Sequence, residues 1–443
     1  MKKFVTLLIF IAIGISATAQ SKKWTLRECV EYALENNISI KQSELDVELT
    51  EAEKMDAVGN FLPSINASAN VSSNTGLSLN PTTNQLQSTT FLSASGGLNV
   101  GYTLFDGLRN IRQVQRAKLS KLASQYRLDK MKDDISLFVA NAFLQVLLNK
   151  ANLEVIQSQN AVTLQQIDRT NSLVDSGVLP RGDLLEIKAV DAGEKQQIAV
   201  AENAVEISLI NLAQLLLIKD YKNFDIADEG YDVLSEGIAD KPVQEIINAA
   251  QENRSEVKIA EENVALAEKD LQIARGAYYP TLSAFFGYDT RYSDNDVLQR
   301  DFVEQLYLND GIGYGLRLNV PILNGLSVRS NVKRNKINLI RSEYQLEQSK
   351  LDLESNVYQA YVDAKGAYKA YEASLSALES QELAYEYAKD RYDVGLTNAF
   401  DFSQSKLRYD NARIELNRSK YDYIFKSKVL ELYFGIPATE LKF

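Results

Sequence analysis

The sequence predicts a mixed α/β membrane protein: an internally duplicated chain with long α-helical hairpins forming a tunnel and four β-strands contributing to a transmembrane β-barrel. Three observations carry that expectation. Residues 33–67 match residues 250–284 at a constant offset of 217, with twelve of the 35 positions identical, among them Lys41/Lys258, Gly59/Gly276 and Pro63/Pro280. Roughly two identities are expected by chance at ordinary residue frequencies. From Gly107-Leu108 and Gly325-Leu326 onward the offset is 218, and each pair opens a proline-free helical pattern about 69 residues long. Finally, four stretches of about ten residues alternate apolar with small or polar side chains, the pattern of a barrel wall.

In chain order, Met1-Lys2-Lys3, the apolar run Phe4–Ile15 and Ala17-Thr18-Ala19 read as a signal peptide at 1–19. The formal charge of −11 falls to −13 without Lys2 and Lys3, which argues against nucleic acid as a partner. Cys29 is the only cysteine, so no intrachain disulfide framework exists, and its face on a helix suggests a small buried apolar residue. There is no histidine, the usual neutral-pH acid/base and commonest metal ligand, so neither a cofactor nor catalysis is expected.

The first repeat, 20–230, is expected as a helix, strands at 61–73 and 91–104, a long helix at 107–175 and a return helix at 183–219. The second, 231–443, repeats this with strands at 279–293 and 311–323, a long helix at 325–393 and a return helix at 401–434. Pro63 and Pro280 mark where helix gives way to strand, because the residue before proline disfavours the α region. Polar loops are expected at 73–90 and 294–310. Within the long helices, Met131, Ile135, Phe138, Ala142 and Val146, and Val357, Tyr361, Ala364, Tyr368 and Tyr371, step by three and four as coiled-coil seams do. At 1.5 Å per residue such a helix is on the order of 100 Å long.

On the strands, Ile65, Ala67, Ala69 and Val71 oppose Asn66, Ser68, Asn70 and Ser72, and the other three alternate likewise. A soluble sandwich shows the same alternation; the export signal and the tyrosines toward the strand ends favour the membrane. Four strands are too few to close a barrel and open edges cannot face lipid, so the chain is expected to oligomerise, three copies supplying twelve strands. Asp183-x-x-Glu186 and Asp401-x-x-Gln404 read as capping boxes opening the return helices. Gly311–Leu316, "GIGYGL", lacks the helix that a phosphate-cradling loop needs.

The chain resembles the TolC family of outer-membrane efflux factors. The resemblance lies in "WTLRECVEYALENN", the two G-x-[FY]-[LY]-P joints, "LFDGLRNIRQVQRAK" with "ILNGLSVRSNVKRNK", and the turns "VDSGVLPRGDLLEIKA" and "YDVGLTNAFDFSQSKL", from about Trp24 to Pro437. It implies a homotrimer in the outer membrane and a periplasmic helical tunnel, docked to a periplasmic adaptor and an inner-membrane pump, for small-molecule efflux or type I secretion. It also implies that 221–241 is an equatorial segment and that Asp401 and Gln404 stand at a narrow tunnel entrance, where Asp183, the repeat equivalent of Asp401, joins them as a candidate. Where the family's best-known members carry a basic residue two after the turn glycine, this chain has Thr397. The turns Gly177, Val178, Leu179 and Gly395, Leu396, Phe400 are the expected adaptor-docking surface. An elongated periplasmic adaptor with coiled-coil hairpins is the alternative; such a protein would usually show one hairpin within β-rich modules.

Overall fold

The computed structural model describes residues 22–80, 84–231, 233, 238–296 and 298–436; the expected signal peptide lies outside them. In chain order the elements are β1 (Lys23–Trp24), α1 (Leu26–Asn36), α2 (Ile38–Gly59), β2 (Ser64–Asn80), β3 (Gln85–Phe105), α3 (Arg109–Asp175), α4 (Arg181–Leu215) and β4 (Asp225–Ile226). A 3₁₀ turn at Ile238–Asp240 precedes α5 (Val243–Asn253), α6 (Ser255–Gly276), β5 (Thr281–Ser293), α7 (Phe302–Leu308), β6 (Gly311–Asn319), α8 (Ser327–Asp393) and α9 (Ala399–Phe434). They form two compact units, each drawing on both repeats.

One unit comprises the described residues of 1–44, 127–257 and 349–443. Its core packs α1 (Leu26, Cys29, Val30, Ala33) against Val139, Phe143 and Leu147 of α3, Leu212 of α4 and Ile424 of α9. Cys29 is fully buried and its thiol is pushed up to about 12 by desolvation, so it is an inert packing group. β1 pairs in parallel with β4, which fastens Lys23–Trp24 to the expected equatorial segment 221–241. Asn149 bonds Ala204 O while Asn160 bonds Asp191, an antiparallel pairing of α3 with α4. Ser405 bonding Ala384 O and Tyr409 bonding Glu382 do the same for α8 and α9. Of the expected α3 seam, Ile135 and Val146 are buried in this core and Met131 and Ala142 pack against it, while Phe138 is 59% exposed; Val139, Phe143 and Leu147 widen the packing face beyond that seam. The reason is that α3 meets α1, α4 and α9 together, so a face broader than a single coiled-coil stripe is buried. By length and composition alone α4 could cross a membrane, yet it buries Leu212 and Ala213 in this core.

The other unit comprises 45–126 and 258–348 and holds a four-stranded antiparallel sheet in the order β2-β3-β5-β6. Strand pairing extends β2 to Asn80 and starts β3 at Gln85, so most of the expected 73–90 loop is hairpin. Cross-strand hydroxyl pairs, Ser72–Ser93 at 2.9 Å and Thr75–Thr90 at 2.8 Å, hold it. The expected loop at 294–310 contains α7, whose buried Gln305 accepts from Ser293 N–H and donates to Ser293 O. β6 stops at Asn319 rather than 323, because Pro321 has no N–H to continue a ladder.

At each strand-to-helix joint, two consecutive residues turn through left-handed backbone: Gly107 and Leu108 at φ 74° and 66°, Gly325 and Leu326 at 59° and 65°. Asp106 caps the first of these joints, accepting from Asn110 N–H at 2.9 Å. A Cβ added at Gly107 would lie 2.3 Å from the carbonyl oxygen of Gly276, so this joint seats on the α6–β5 joint of the other repeat. Flanking ties are Arg116 to Asp270 at 2.5 Å and Arg112 to Gln272 O at 2.6 Å.

Candidate functional site

Directly opposed residues in a sheet share a face. Ala67 lies opposite Leu98, which lies opposite Tyr288, which lies opposite Ile312; Ile65, Val100, Phe286 and Tyr314 form the next such row. One face of all four strands is therefore a continuous apolar wall, and Val71 (68%) and Leu316 (67%) on it are exposed. The opposite face carries Asn66, Asn99, Gly287 and Gly313 in one row and Ser64, Gly101, Phe285 and Gly315 in another. Phe285 is the exception to the alternation: an aromatic ring on the polar face, covered by the Arg317 guanidinium at 5.4 Å and given room by Gly315. Period-two reading missed it because the run "AFF" fills both faces; the glycine opposite is the available signal.

The two hairpin turns have the same construction. Gly177 and Gly395 adopt φ 76° and 75°. Val178 and Leu396 donate N–H to Leu173 O (2.9 Å) and Arg391 O (2.8 Å), while the glycines donate to Val174 O and Tyr392 O, both 3.0 Å. That paired pattern is the Schellman motif, and its left-handed residue is why glycine stands at 177 and 395. Packing between the hairpins falls to Ile187, Tyr392, Ala399 and Phe402, with Tyr392 and Phe402 stacked at 5.0 Å. Arg169 binds both the carboxylate and the carbonyl of Asp393. Those contacts leave Val178 (67%), Leu396 (70%) and Phe400 (57%) exposed, with Leu179 half-buried.

Asp183 and Asp401 do not cap their helices. The N-cap of α9 is Asn398, whose side chain accepts from Asp401 N–H at 2.8 Å, and α4 starts after Pro180 with no side-chain cap. Both aspartates stand at the third helical position, where a negative charge complements the helix N-terminus. The capping-box expectation failed because the helices begin two residues earlier than expected. Asp401 is exposed and its carboxylate accepts from Thr397 Oγ1 at 3.4 Å; Gln404 is exposed one turn further along.

Just beyond lies a polar network that sequence reasoning did not identify. Lys406, buried, donates to Glu194 (2.7 Å), Thr163 Oγ1 (2.6 Å) and Gln159 O (2.8 Å). Asn160 donates to Glu194 and Asp191, so every member has a partner. Beside it the Asp410 carboxyl is buried; desolvation pushes it up to about 6, opposed by Lys406 and Gln159. Glu194, Lys406 and Asp410 line, with Phe400 and Gln404, a cavity of about 260 Å³. The available signal was Lys406 on the apolar face of α9, between Phe402 and Tyr409. Among the described residues no cluster of acidic or cysteine side chains fits a metal ion.

A family model described as outer membrane efflux protein matches residues 29–216 and 246–435, one segment in each repeat. The Vibrio cholerae outer membrane protein TolC is 25% identical over 98% of this chain and 94% of its own length. Protein CyaE of Bordetella pertussis is 23% identical over 88% of this chain and 79% of its length. Among solved structures, the Campylobacter jejuni CmeC outer membrane channel superposes with a TM-score of 0.78 at 17% identity, covering 94% of this chain and 85% of that one.

Proposed function

The chain belongs to the outer membrane efflux protein family, and from that premise we propose that it is a passive exit duct of three copies, receiving small molecules from a periplasmic adaptor and an inner-membrane pump. The observation that carries this reading is the continuous, exposed apolar wall of a sheet whose edges, β2 and β6, are open. A sheet edge in lipid costs several kcal/mol per unsatisfied backbone group, so closure by further copies is the physical requirement, and twelve strands leave a lumen. The alternative of a soluble periplasmic adaptor requires that face to be covered; Ile65, Val71, Ile312, Tyr314, Leu316 and Leu318 on it are exposed.

In this reading the turns present Val178, Leu396 and Phe400 to the adaptor, and Asp183, Asp401 and Gln404 line the mouth through which cargo enters. The duct performs no chemistry, and the energy for transport comes from the pump. The test is twofold. Purified protein reconstituted into planar bilayers should give discrete single-channel conductance, and loss of the protein in cells should raise intracellular retention of pump substrates. Purified protein that is monomeric in detergent and forms no channels would end the duct reading.

A further inference from the structure

We propose that Phe285 and Arg317 form a binding station for planar aromatic anions on the inner wall of the barrel, one station in each copy. The inference rests on the three-copy duct reading, which turns the polar face of the sheet toward the lumen, and it names a class of cargo that this wall favours.

Phe285 breaks the alternation of β5, and its neighbours are arranged around it. It pairs with Gly101 of β3 on one side and Gly315 of β6 on the other. A Cβ added at Gly315 would lie 3.1 Å from the Phe285 ring, so the ring rests on that glycine. In the next row, Gly287 lies opposite Gly313, and a Cβ at Gly313 would meet nothing within 4 Å. Phe285 stays 41% exposed beside this bare floor. Leaving that much of a phenyl ring in water forgoes part of the transfer free energy that a buried ring gains, so its place on this face calls for a use.

Arg317 supplies the second group. Its guanidinium carbon stands 5.4 Å from the centre of the Phe285 ring, within cation–π range. Among the described residues it has no acidic partner, and the register shows why. Ser283 lies opposite Arg317, and Asp289, the one acidic residue on the four strands, is six residues further along β5. At 3.3 Å per residue the two backbone positions are about 20 Å apart. Arg291 stands two residues from Asp289 on the same face and offsets its charge. β2, the other open edge, has no charged residue, so a neighbouring copy's β2 brings no acid to Arg317 in any register. Arg317 is the cation left over. The chain as a whole is acidic, at −11, but charges beyond about 10 Å are largely screened at 0.1 M salt. Small ions sense the length of the duct; an anion held at Phe285 senses Arg317.

The two groups together select for two features in one ligand. The guanidinium fork pairs with a carboxylate or sulfonate through two parallel N–H···O bonds. The exposed part of the phenyl ring offers an offset stack to a flat apolar ring, and the Gly287–Gly313 floor leaves space for it. An aliphatic carboxylate satisfies only the first group, and a neutral aromatic only the second. A planar aromatic anion satisfies both.

Naphthoate is the probe, applied to the full chain in planar bilayers at 0.1 M salt. It should lower the single-channel current saturably, while cyclohexanecarboxylate and naphthalenemethanol should need concentrations higher by about threefold and about tenfold. Arg317→Gln alters an exposed side chain without an acidic partner, so trimers should form as before. Its half-maximal naphthoate concentration should rise about tenfold or more, because a charge-assisted pair is lost. Phe285→Leu keeps an apolar side chain and loses the stack; it should raise that concentration about threefold and leave the response to cyclohexanecarboxylate unchanged. Fluorescence anisotropy of naphthoate with the detergent-solubilised oligomer should rank the three proteins in the same order without a bilayer. Channels that neither respond to naphthoate nor bind it, or that respond alike in the parent and Arg317→Gln, overturn the station and leave the duct standing. An equal response to naphthoate and cyclohexanecarboxylate also overturns it, since the ring then plays no part. Protein that forms neither oligomers nor channels overturns both readings.

Discussion

Asp401 stands at the third position of α9 behind the true cap, Asn398, and this separates two effects that the sequence pattern merges. Asn398→Ala should cost the first turn of α9 about 1 kcal/mol, measured by native-state hydrogen exchange, because one helix-end N–H loses its acceptor. Asp401→Asn keeps that cap. If the carboxylate lines the proposed mouth, the substitution should weaken block by multivalent cations in single-channel recordings with the fold unchanged; equal block in both proteins would remove the role. A second residue-scale prediction concerns Asp410, which burial pushes up to about 6 from its ordinary 3.8. A carboxyl whose folded-state pKa is raised opposes folding when charged, fully so above about pH 6, and the opposition fades as the pH falls through 6 toward 4. Asp410→Asn should therefore strengthen α9 against opening by up to about 3 kcal/mol at pH 7.5 and by well under 1 kcal/mol at pH 4. Hydrogen exchange at the two pH values checks it, and a pH-independent effect would refute the assignment.

Among the elements, the turns and the strands carry separate expectations. The exposed position beside Gly177 is Val178, not the half-buried Leu179, so the structure moves the choice of substitution. Val178→Asp with Leu396→Asp should abolish export while trimers still assemble in the outer membrane; normal export would remove docking from the turns. On the sheet, Leu98→Arg places a charge on the apolar wall and should cost about 2–4 kcal/mol near mid-depth. Asn99→Arg, one residue on, points to the polar face opposite Asn66 and Gly287 and should be far milder. Equal loss of trimer from both variants would contradict the wall. The alternation was legible because the side-chain period of a strand is two. The extra length of the first hairpin was not, because "SSNTGLSLN" reads as a polar loop until the cross-strand hydroxyl pairs are seen.

For the whole molecule, the acidic balance has a consequence for conduction. In the proposed three-copy duct, a chain of formal charge −11, or −13 without Lys2 and Lys3, makes a negative lumen field that favours cations the expectation. Under a salt gradient the reversal potential should have the sign of cation selectivity, and the preference should shrink at high ionic strength as screening shortens the field. Anion selectivity would mean that the lumen-facing charges differ in sign from the chain as a whole.

Period and punctuation in the sequence determined the four long strands, the two long helices with their return helices, the duplication, the apolar strand faces and the glycine turns, because each follows from local geometry: 3.6 residues per helical turn, two per strand, and left-handed backbone where glycine stands. Contacts far apart in sequence decided the rest. The burial of Lys406 against Glu194 and Thr163 joins three helices, and the packing of Gly107 on Gly276 joins two repeats. The choice of Val139 and Phe143 over Phe138 as the packing face of α3 reflects several neighbours at once. No periodicity encodes those pairings, since the free energy of burying a side chain depends on what lies across from it, and that is settled only when the chain folds.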